Sequence, residues 1–204
     1  MVLTDFFDKV YCINLDRRLD RWIKVSEIFK KNRFKNVERF SAIDGKNLNN
    51  TTKLLSGELG ILETHLQLIK KCKDENIKSV LILEDDVEFS TEIKNIEKMF
   101  LDIPDDWDMI YFGGNHTYGS KLEIIKNNVY KLNYTVSLHC VAINCKIFDE
   151  ILNLISDKQR QVDSYYTELQ KKHNCYGFYP NLAYQSKDYS DIQNKIVDYT
   201  NFFK

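Results

Sequence analysis

Proline and glycine are scarce in this chain, with two and seven among 204 residues. No glycine-rich phosphate loop of the G-x-G-x-x-G or P-loop spacing occurs, so neither a Rossmann dehydrogenase nor a P-loop nucleotide hydrolase is supported. A G-x-S-x-G elbow is missing as well, which removes an α/β-hydrolase. Cys12, Cys72, Cys140, Cys145 and Cys175 are odd in number and never in C-x-x-C spacing. They argue against a disulfide framework or a structural zinc site and read as packing thiols. No apolar run approaches the roughly 18 residues of a membrane-spanning helix, and Met1 to Phe6 lacks a basic segment followed by a long apolar one. The chain therefore reads as cytoplasmic, and its Asn-x-Thr sequons at Asn50, Asn115 and Asn133 as accidental. Charge of one sign is not in excess either: 29 Lys and Arg face 30 Asp and Glu. Such a balance gives no field that would gather nucleic acid or an anionic membrane.

What is present suffices for one core: 43% hydrophobic and 13% aromatic residues in 24.2 kDa predict a single domain over residues 1–204. Val10-Tyr11-Cys12-Ile13 reads as a strand, followed by a loop and a helix with apolar positions at Trp22, Val25, Ile28 and Phe29. Arg39 to Ile43 reads as a second strand ending at the turn pair Asp44-Gly45. Ser56 is expected to cap a helix whose buried stripe is Leu59, Leu62, Leu66 and Ile69, with Glu58 and His65 along one edge. Ser79 to Leu83 is a continuous apolar run, the pattern of a central strand covered on both faces. Met109 to Phe112 and Ser137 to Ile143 are further strands, the second followed by a helix bearing Ile147, Ile151, Leu152 and Ile155. Alternation of strands and helices predicts an α/β fold with a mostly parallel sheet and ligands beyond its carboxyl edge.

The strongest chemical signal is Glu84-Asp85-Asp86, three carboxylates directly after a buried strand. Two such groups roughly 5 to 6 Å apart repel by about 3 kcal/mol at an effective dielectric near 20. A hard divalent cation removes that penalty, and oxygen ligation suits Mn²⁺ or Mg²⁺. A solvated acidic turn is the plainer alternative. Arg17, Arg18 and Arg21 could pair with phosphate or with neighbouring acids, or form a solvated basic helix start. His65 beside a buried stripe reads more readily as a satisfied core histidine than as a ligand.

Taken in order, the fragments resemble glycosyltransferase family 25, the group of lipopolysaccharide or lipooligosaccharide glycosyltransferases and procollagen galactosyltransferases. The resemblance is carried by Ile13-Asn14-Leu15 with Arg18 and Arg21, and by Ala42-Ile43-Asp44-Gly45. Gly57-Glu58-Leu59-Gly60 with Thr64-His65, Leu81 to Val87, and Trp107 to Tyr111 continue it. Val162-Asp163 and the late Pro180, Gln185 and Ser190-Asp191-Ile192 complete it. Ser137-Leu138-His139-Cys140-Val141 departs from the small residues common before a tyrosine-containing strand there. The resemblance implies a GT-A-like nucleotide-binding fold, a nucleotide-sugar donor, often UDP-galactose, and a glycan or protein acceptor. It implies a donor site at Asn14, Arg18, Arg21, Asp44, Glu58, His65 and Asp85, and Mn²⁺ or Mg²⁺ at Glu84 and Asp86. Asp163 is implied as the general base of an inverting transfer, with a plain helix N-cap as its alternative. Two other readings compete: a sugar-phosphate nucleotidyltransferase, which normally shows a glycine-rich basic loop after its first strand, and a carbohydrate-binding scaffold without turnover.

Overall fold

A computed structural model describes residues 1–116, 122–193 and 195–198. Thr117, the third residue of the Asn115 sequon, lies outside them. In chain order the elements are β1 (Lys9–Leu15), α1 (Leu19–Lys31), β2 (Val37–Ala42), α2 (Ser56–Asp74), β3 (Ser79–Glu84), β4 (Val87–Phe89) and α3 (Ile96–Phe100). They continue with β5 (Met109–Asn115), β6 (Glu123–Lys126), β7 (Val129–Lys131), β8 (Val136–Asn144), α4 (Phe148–Ile155) and α5 (Val162–Gln170). Last come β9 (Cys175–Phe178), β10 (Ala183–Gln185), β11 (Asp188–Ser190) and β12 (Lys195–Val197).

Eight strands form one sheet in the order β2-β1-β3-β8-β5-β9-β7-β6. β1 runs parallel to β2 and β3, and β5 parallel to β9; β8 lies antiparallel between β3 and β5. The α/β architecture is thus the expected one. Because β8 runs backwards, its beginning, Val136 to Leu138, reaches the same edge as the ends of β1, β3 and β5.

The continuous apolar runs have a direct cause in two-sided burial. Tyr11, Ile13, Val80, Ile82, Met109, Tyr111, Val141 and Ile143 pack on one face with α2, α4 and α5. Val10, Cys12, Leu81, Leu83, Ile110, Phe112, Cys140 and Ala142 pack on the other with Val25 and Phe29 of α1 and Ile96 of α3. Alternate residues of each strand point to opposite faces, so a run apolar at every position is required where helices cover both.

Helix α2 differs in detail from its sequence reading. Ser56 is its first residue, not its cap, and the backbone N–H of Leu55 is instead satisfied by the Glu58 carboxylate at 2.8 Å. The buried face is wider than one stripe: His65, Leu68 and Cys72 are fully buried beside Leu62 and Ile69, because the helix touches α4 and α5 as well as the sheet. β5 also runs on through Gly113-Gly114 rather than stopping before them.

Candidate functional site

The first parallel strands end in polar residues along one edge. Asn14 is the next-to-last residue of β1, Asp44 follows β2 and Glu84 closes β3. Beyond this edge lies a cleft of about 510 Å³. Of the residues singled out from sequence, Asn14, Arg21, Asp44, Glu58, Glu84, Asp85, Asp86 and Asp163 line it, together with Arg17 and Gln185.

Asp85 and Asp86 sit in the turn between β3 and β4, and their charges are met by Arg21 in the first turn of α1. Its Nη1 lies 3.0 Å from Asp85 and its Nη2 2.8 Å from Asp86, with the Arg21 side chain only 11% exposed. Burial disfavours the Arg21 cation, but Asp86 and Asp85 outweigh it and hold its pKa above the ordinary value. Burial pushes the Asp85 carboxyl up to about 6 in spite of Arg21. Asn14 Nδ2 donates to Asp85 at 2.6 Å and to the Arg18 carbonyl at 3.0 Å, while Arg39 Nε donates to Asn14 Oδ1 at 2.8 Å. The Asn14 side chain thus has both amide N–H groups committed to protein partners, which fits a residue that fixes Asp85.

Glu84 and Asp86, two apart, form the other half of the acidic motif. Burial first, then the charges of Asp86, Asp163 and Asp85, push the Glu84 carboxyl well above the usual range. Asp86 Oδ1 is buried with no hydrogen-bond partner among the described residues, a costly arrangement for a carboxylate oxygen. This orphaned atom and the like charge at Glu84 make a donor set that fits a hard, oxygen-seeking cation such as Mn²⁺ or Mg²⁺. Among the described residues, however, no group of three His, Cys, Asp or Glu side chains is placed to hold a metal.

Asp163 is the second residue of α5, whose N-cap is Gln161, so its role is not capping. Its carboxylate accepts the backbone N–H of Ser137 from β8 at 2.9 Å. Ser137 itself is held at φ 77°, a left-handed conformation uncommon for a residue with a side chain. Burial raises the Asp163 pKa, with the Ser137 N–H opposing.

The opposite wall is held by arginines. Arg17 donates at 2.7 Å to Asp44 and at 2.7 Å to Asp191. Arg18 pairs with Asp191 and with Asp20, and is not among the cleft-lining residues. The hydrogen bond from Arg17 holds Asp44 below the usual carboxylate range. Asp44 is pinned from behind as well: a Cβ on Gly45 would stand 1.7 Å from the Ser56 carbonyl oxygen, so only glycine lets this loop lie on α2. Glu58 is taken up by Leu55 N–H and by Gln161 Nε2.

His65 stands apart from the cleft. It is fully buried, its Nδ1 lies 3.1 Å from the Tyr166 hydroxyl, and burial depresses its pKa to about 4. That is a core histidine's position, and direct contact with a bound donor does not follow from it.

Sequence reasoning did not find the wall made by β11 and β12, which brings Ser190, Asp191, Ile192 and Val197 to the cleft. Its fit depends on Gly57, where a Cβ would meet Ile192 Cα at 2.7 Å. The glycine beside Glu58 and the late Ser190-Asp191-Ile192 were both visible, but nothing in their spacing joined them.

The family model of glycosyltransferase family 25 (LPS biosynthesis protein) matches residues 7–172. Procollagen galactosyltransferase 2 of Mus musculus is 28% identical over 149 residues, which cover 62% of this chain and 24% of that protein. The glycosyltransferase 25 family member of Drosophila melanogaster is 26% identical over 163 residues, covering 64% and 26%. The chain thus matches only about a quarter of the length of these curated relatives. Among solved structures, it is similar to a glycosyltransferase involved in the glycosylation of the major capsid of PBCV-1, with TM-score 0.42 and 9% identity over 83% of this chain and 92% of that one. It is also similar to UDP-glucose pyrophosphorylase complexed with UDP-glucose, with TM-score 0.43 and 11% identity over 83% and 72%. Likenesses this distant carry no functional argument. Among the described residues no helix is long and apolar enough to cross a membrane.

Proposed function

Because this chain belongs to glycosyltransferase family 25, we propose that it transfers a hexose, galactose or glucose, from a nucleotide sugar, favouring UDP-sugars, to an acceptor hydroxyl. The acceptor belongs to a glycan or a hydroxylysine-type protein side chain. The observation that carries this reading is the presence, in one cleft, of a nucleotide-suited wall at Arg17 and Asp44, an acidic pair at Glu84 and Asp86, and a separate carboxylate at Asp163. The name procollagen galactosyltransferase on a relative favours galactose.

Asp44 is kept ionised by Arg17 and suits ribose or base hydrogen bonds, while Arg17 suits the phosphates. Glu84 and Asp86 are the residues to hold Mn²⁺ or Mg²⁺, which when bound neutralises the charge that develops on the departing diphosphate. Asp163 takes the acceptor proton. The acceptor oxygen then bonds to the anomeric carbon as the bond from that carbon to the diphosphate oxygen breaks, and the electron pair leaves with the diphosphate. Attack from the face opposite the leaving group inverts the anomeric centre. The raised pKa of Asp163 makes it a better proton acceptor than an ordinary aspartate.

The test is product analysis with UDP-galactose and UDP-glucose, with and without Mn²⁺. Release of UDP that depends on the cation is the expected result. Formation of diphosphate from UTP and a sugar phosphate would replace this reading by a nucleotidyltransferase, and neither activity would leave a binding scaffold.

A further inference from the structure

Glu84 and Asp86 offer the proposed cation two protein carboxylates, fewer than the side chains that usually define such a site. Gln185 stands over both of them. Its Nε2 lies 3.4 Å from Glu84 Oε2 and 3.4 Å from Asp86 Oδ2. The residue is held there from two directions. β10 pairs antiparallel with β4 so that Gln185 faces Val87, the residue after Asp86, and the Ser186 N–H donates to the Asp86 carbonyl at 2.9 Å.

We propose that Gln185 is the third protein ligand of the divalent cation, through Oε1; this rests on the cation assigned above to Glu84 and Asp86. Four points support it. Gln185 Nε2 donates to both carboxylates at 3.4 Å, longer than the roughly 2.7 to 3.2 Å span of good N–H to oxygen hydrogen bonds, so neither bond holds the amide firmly in this orientation. The two separations are only about 0.4 Å longer than the spacing of adjacent oxygens in an octahedral shell, about 3 Å when each sits roughly 2.1 Å from the ion, a gap that drawing the three side chains onto the ion would close. Turning the terminal amide exchanges oxygen for nitrogen, two atoms of nearly equal size, and needs no movement of the β4–β10 ribbon. Finally, Asp86 Oδ1 is buried without a hydrogen-bond partner among the described residues, so this side chain has an oxygen left to give.

The charge of the site also favours an amide. Two carboxylates balance a divalent ion, and a third would add a negative charge facing an anionic diphosphate. Gln185 contributes an oxygen without that repulsion.

The experiment is titration of Mn²⁺ into the wild-type chain and the variants Gln185→Ala, Gln185→Met and Gln185→Glu. Affinity is followed by electron paramagnetic resonance, and the water ligands of bound Mn²⁺ are counted by water-proton relaxation. Loss of the ligand is expected to weaken Mn²⁺ binding about ten-fold or more and to add one water in Gln185→Ala. Gln185→Met keeps the side-chain length but offers a thioether that a hard cation disfavours, and gives the same weakening should Ala disturb the ribbon. Gln185→Glu is expected to bind Mn²⁺ more tightly and UDP more weakly. If the wild type binds Mn²⁺ and neither the Ala nor the Met variant changes affinity or water count, Gln185 is not a ligand and the carboxylate assignment survives. Weaker binding with an unchanged water count also overturns the proposal, since Gln185 would then act only on the carboxylates. A wild type that binds no Mn²⁺ removes the cation reading and this inference together.

Discussion

Arg21 reaches across from the first turn of α1 to donate to Asp86 at 2.8 Å. The contact changes how the acidic motif is understood. Part of the repulsion among three successive carboxylates is relieved by the protein's own cation, and Arg21, expected from sequence to face the donor, is engaged with acids. Removing one member of a buried ion pair leaves the others uncompensated, at a cost of about 3 to 5 kcal/mol. Arg21→Ala is therefore expected to lower the unfolding free energy by roughly that amount in urea titrations. Arg21→Lys should recover only part, because an ammonium cannot fork to both carboxylates. A loss below about 1 kcal/mol, the level of a surface pair, would contradict this.

Asp86→Asn keeps the shape of the side chain and an acceptor for Arg21 while removing a carboxylate. Turnover is expected to fall by at least about two orders of magnitude, with weaker Mn²⁺ dependence, in a variant that still folds because Arg21 keeps Asp85 as a charged partner. Wild-type transfer by this variant would remove Asp86 from the cation site.

For Asp163 the isosteric change is again the informative one, since the amide oxygen that Asp163→Asn introduces can still accept the Ser137 N–H. General-base catalysis contributes about 10² to 10⁴ in rate, so turnover should fall by that range while UDP affinity holds. In the wild type the base must be ionised, so turnover should rise with pH through the raised Asp163 pKa, and this limb should be lost in the variant. Near-normal turnover would send the search for the base to Asp191, which lines the same cleft; His139 is fully buried and does not line it.

Donor affinity should respond to the arginine wall. Asp44→Ala and Arg17→Ala are each expected to weaken UDP binding by about 1 to 3 kcal/mol, the range for hydrogen bonds to charged groups. Calorimetry on both variants checks this, and undiminished binding in both would place the nucleotide elsewhere.

His65 offers a test by pH. Its folded pKa, about 4, lies below the ordinary histidine value near 6.5, so between those values the unfolded chain binds the extra proton and acid favours unfolding. The stability His65 contributes is present above pH ~6.5 and is lost as the pH falls towards ~4. Relative to His65→Gln, the wild type should therefore lose up to about 1.4 kcal/mol per pH unit across that window. Taking the difference cancels the carboxyls common to both proteins. A pH-independent difference would mean that the His65 pKa is not depressed.

The sheet was legible where burial imposes a pattern: β1, β3, β5 and β8 follow from apolar runs, and the Glu84-Asp85-Asp86 turn from its position after one of them. The reversed direction of β8 was not, because an apolar run reads the same either way. β4 and β10 to β12 are three residues each, too short for periodicity to register. Glu58 and Asp163 were recognisable as candidates, yet their partners Gln161 and Ser137 depend on how helices meet the sheet. For His65 the core-histidine reading holds, and its donor-site role does not follow, because one edge of a helical stripe becomes its centre when a second layer of helices covers it.

Arg17 and Asp191 meet across 174 residues of chain. Contacts of such separation close late, after shorter-range pairings have reduced the entropy of joining distant segments. During synthesis, β1, β2 and β3 can pair while the segment bearing Asp191 is still to be made. Completing the fold's core and completing the cleft are therefore expected to be successive events: a nascent chain ending before Asp188 would hold every strand of the sheet but not the wall that finishes the site.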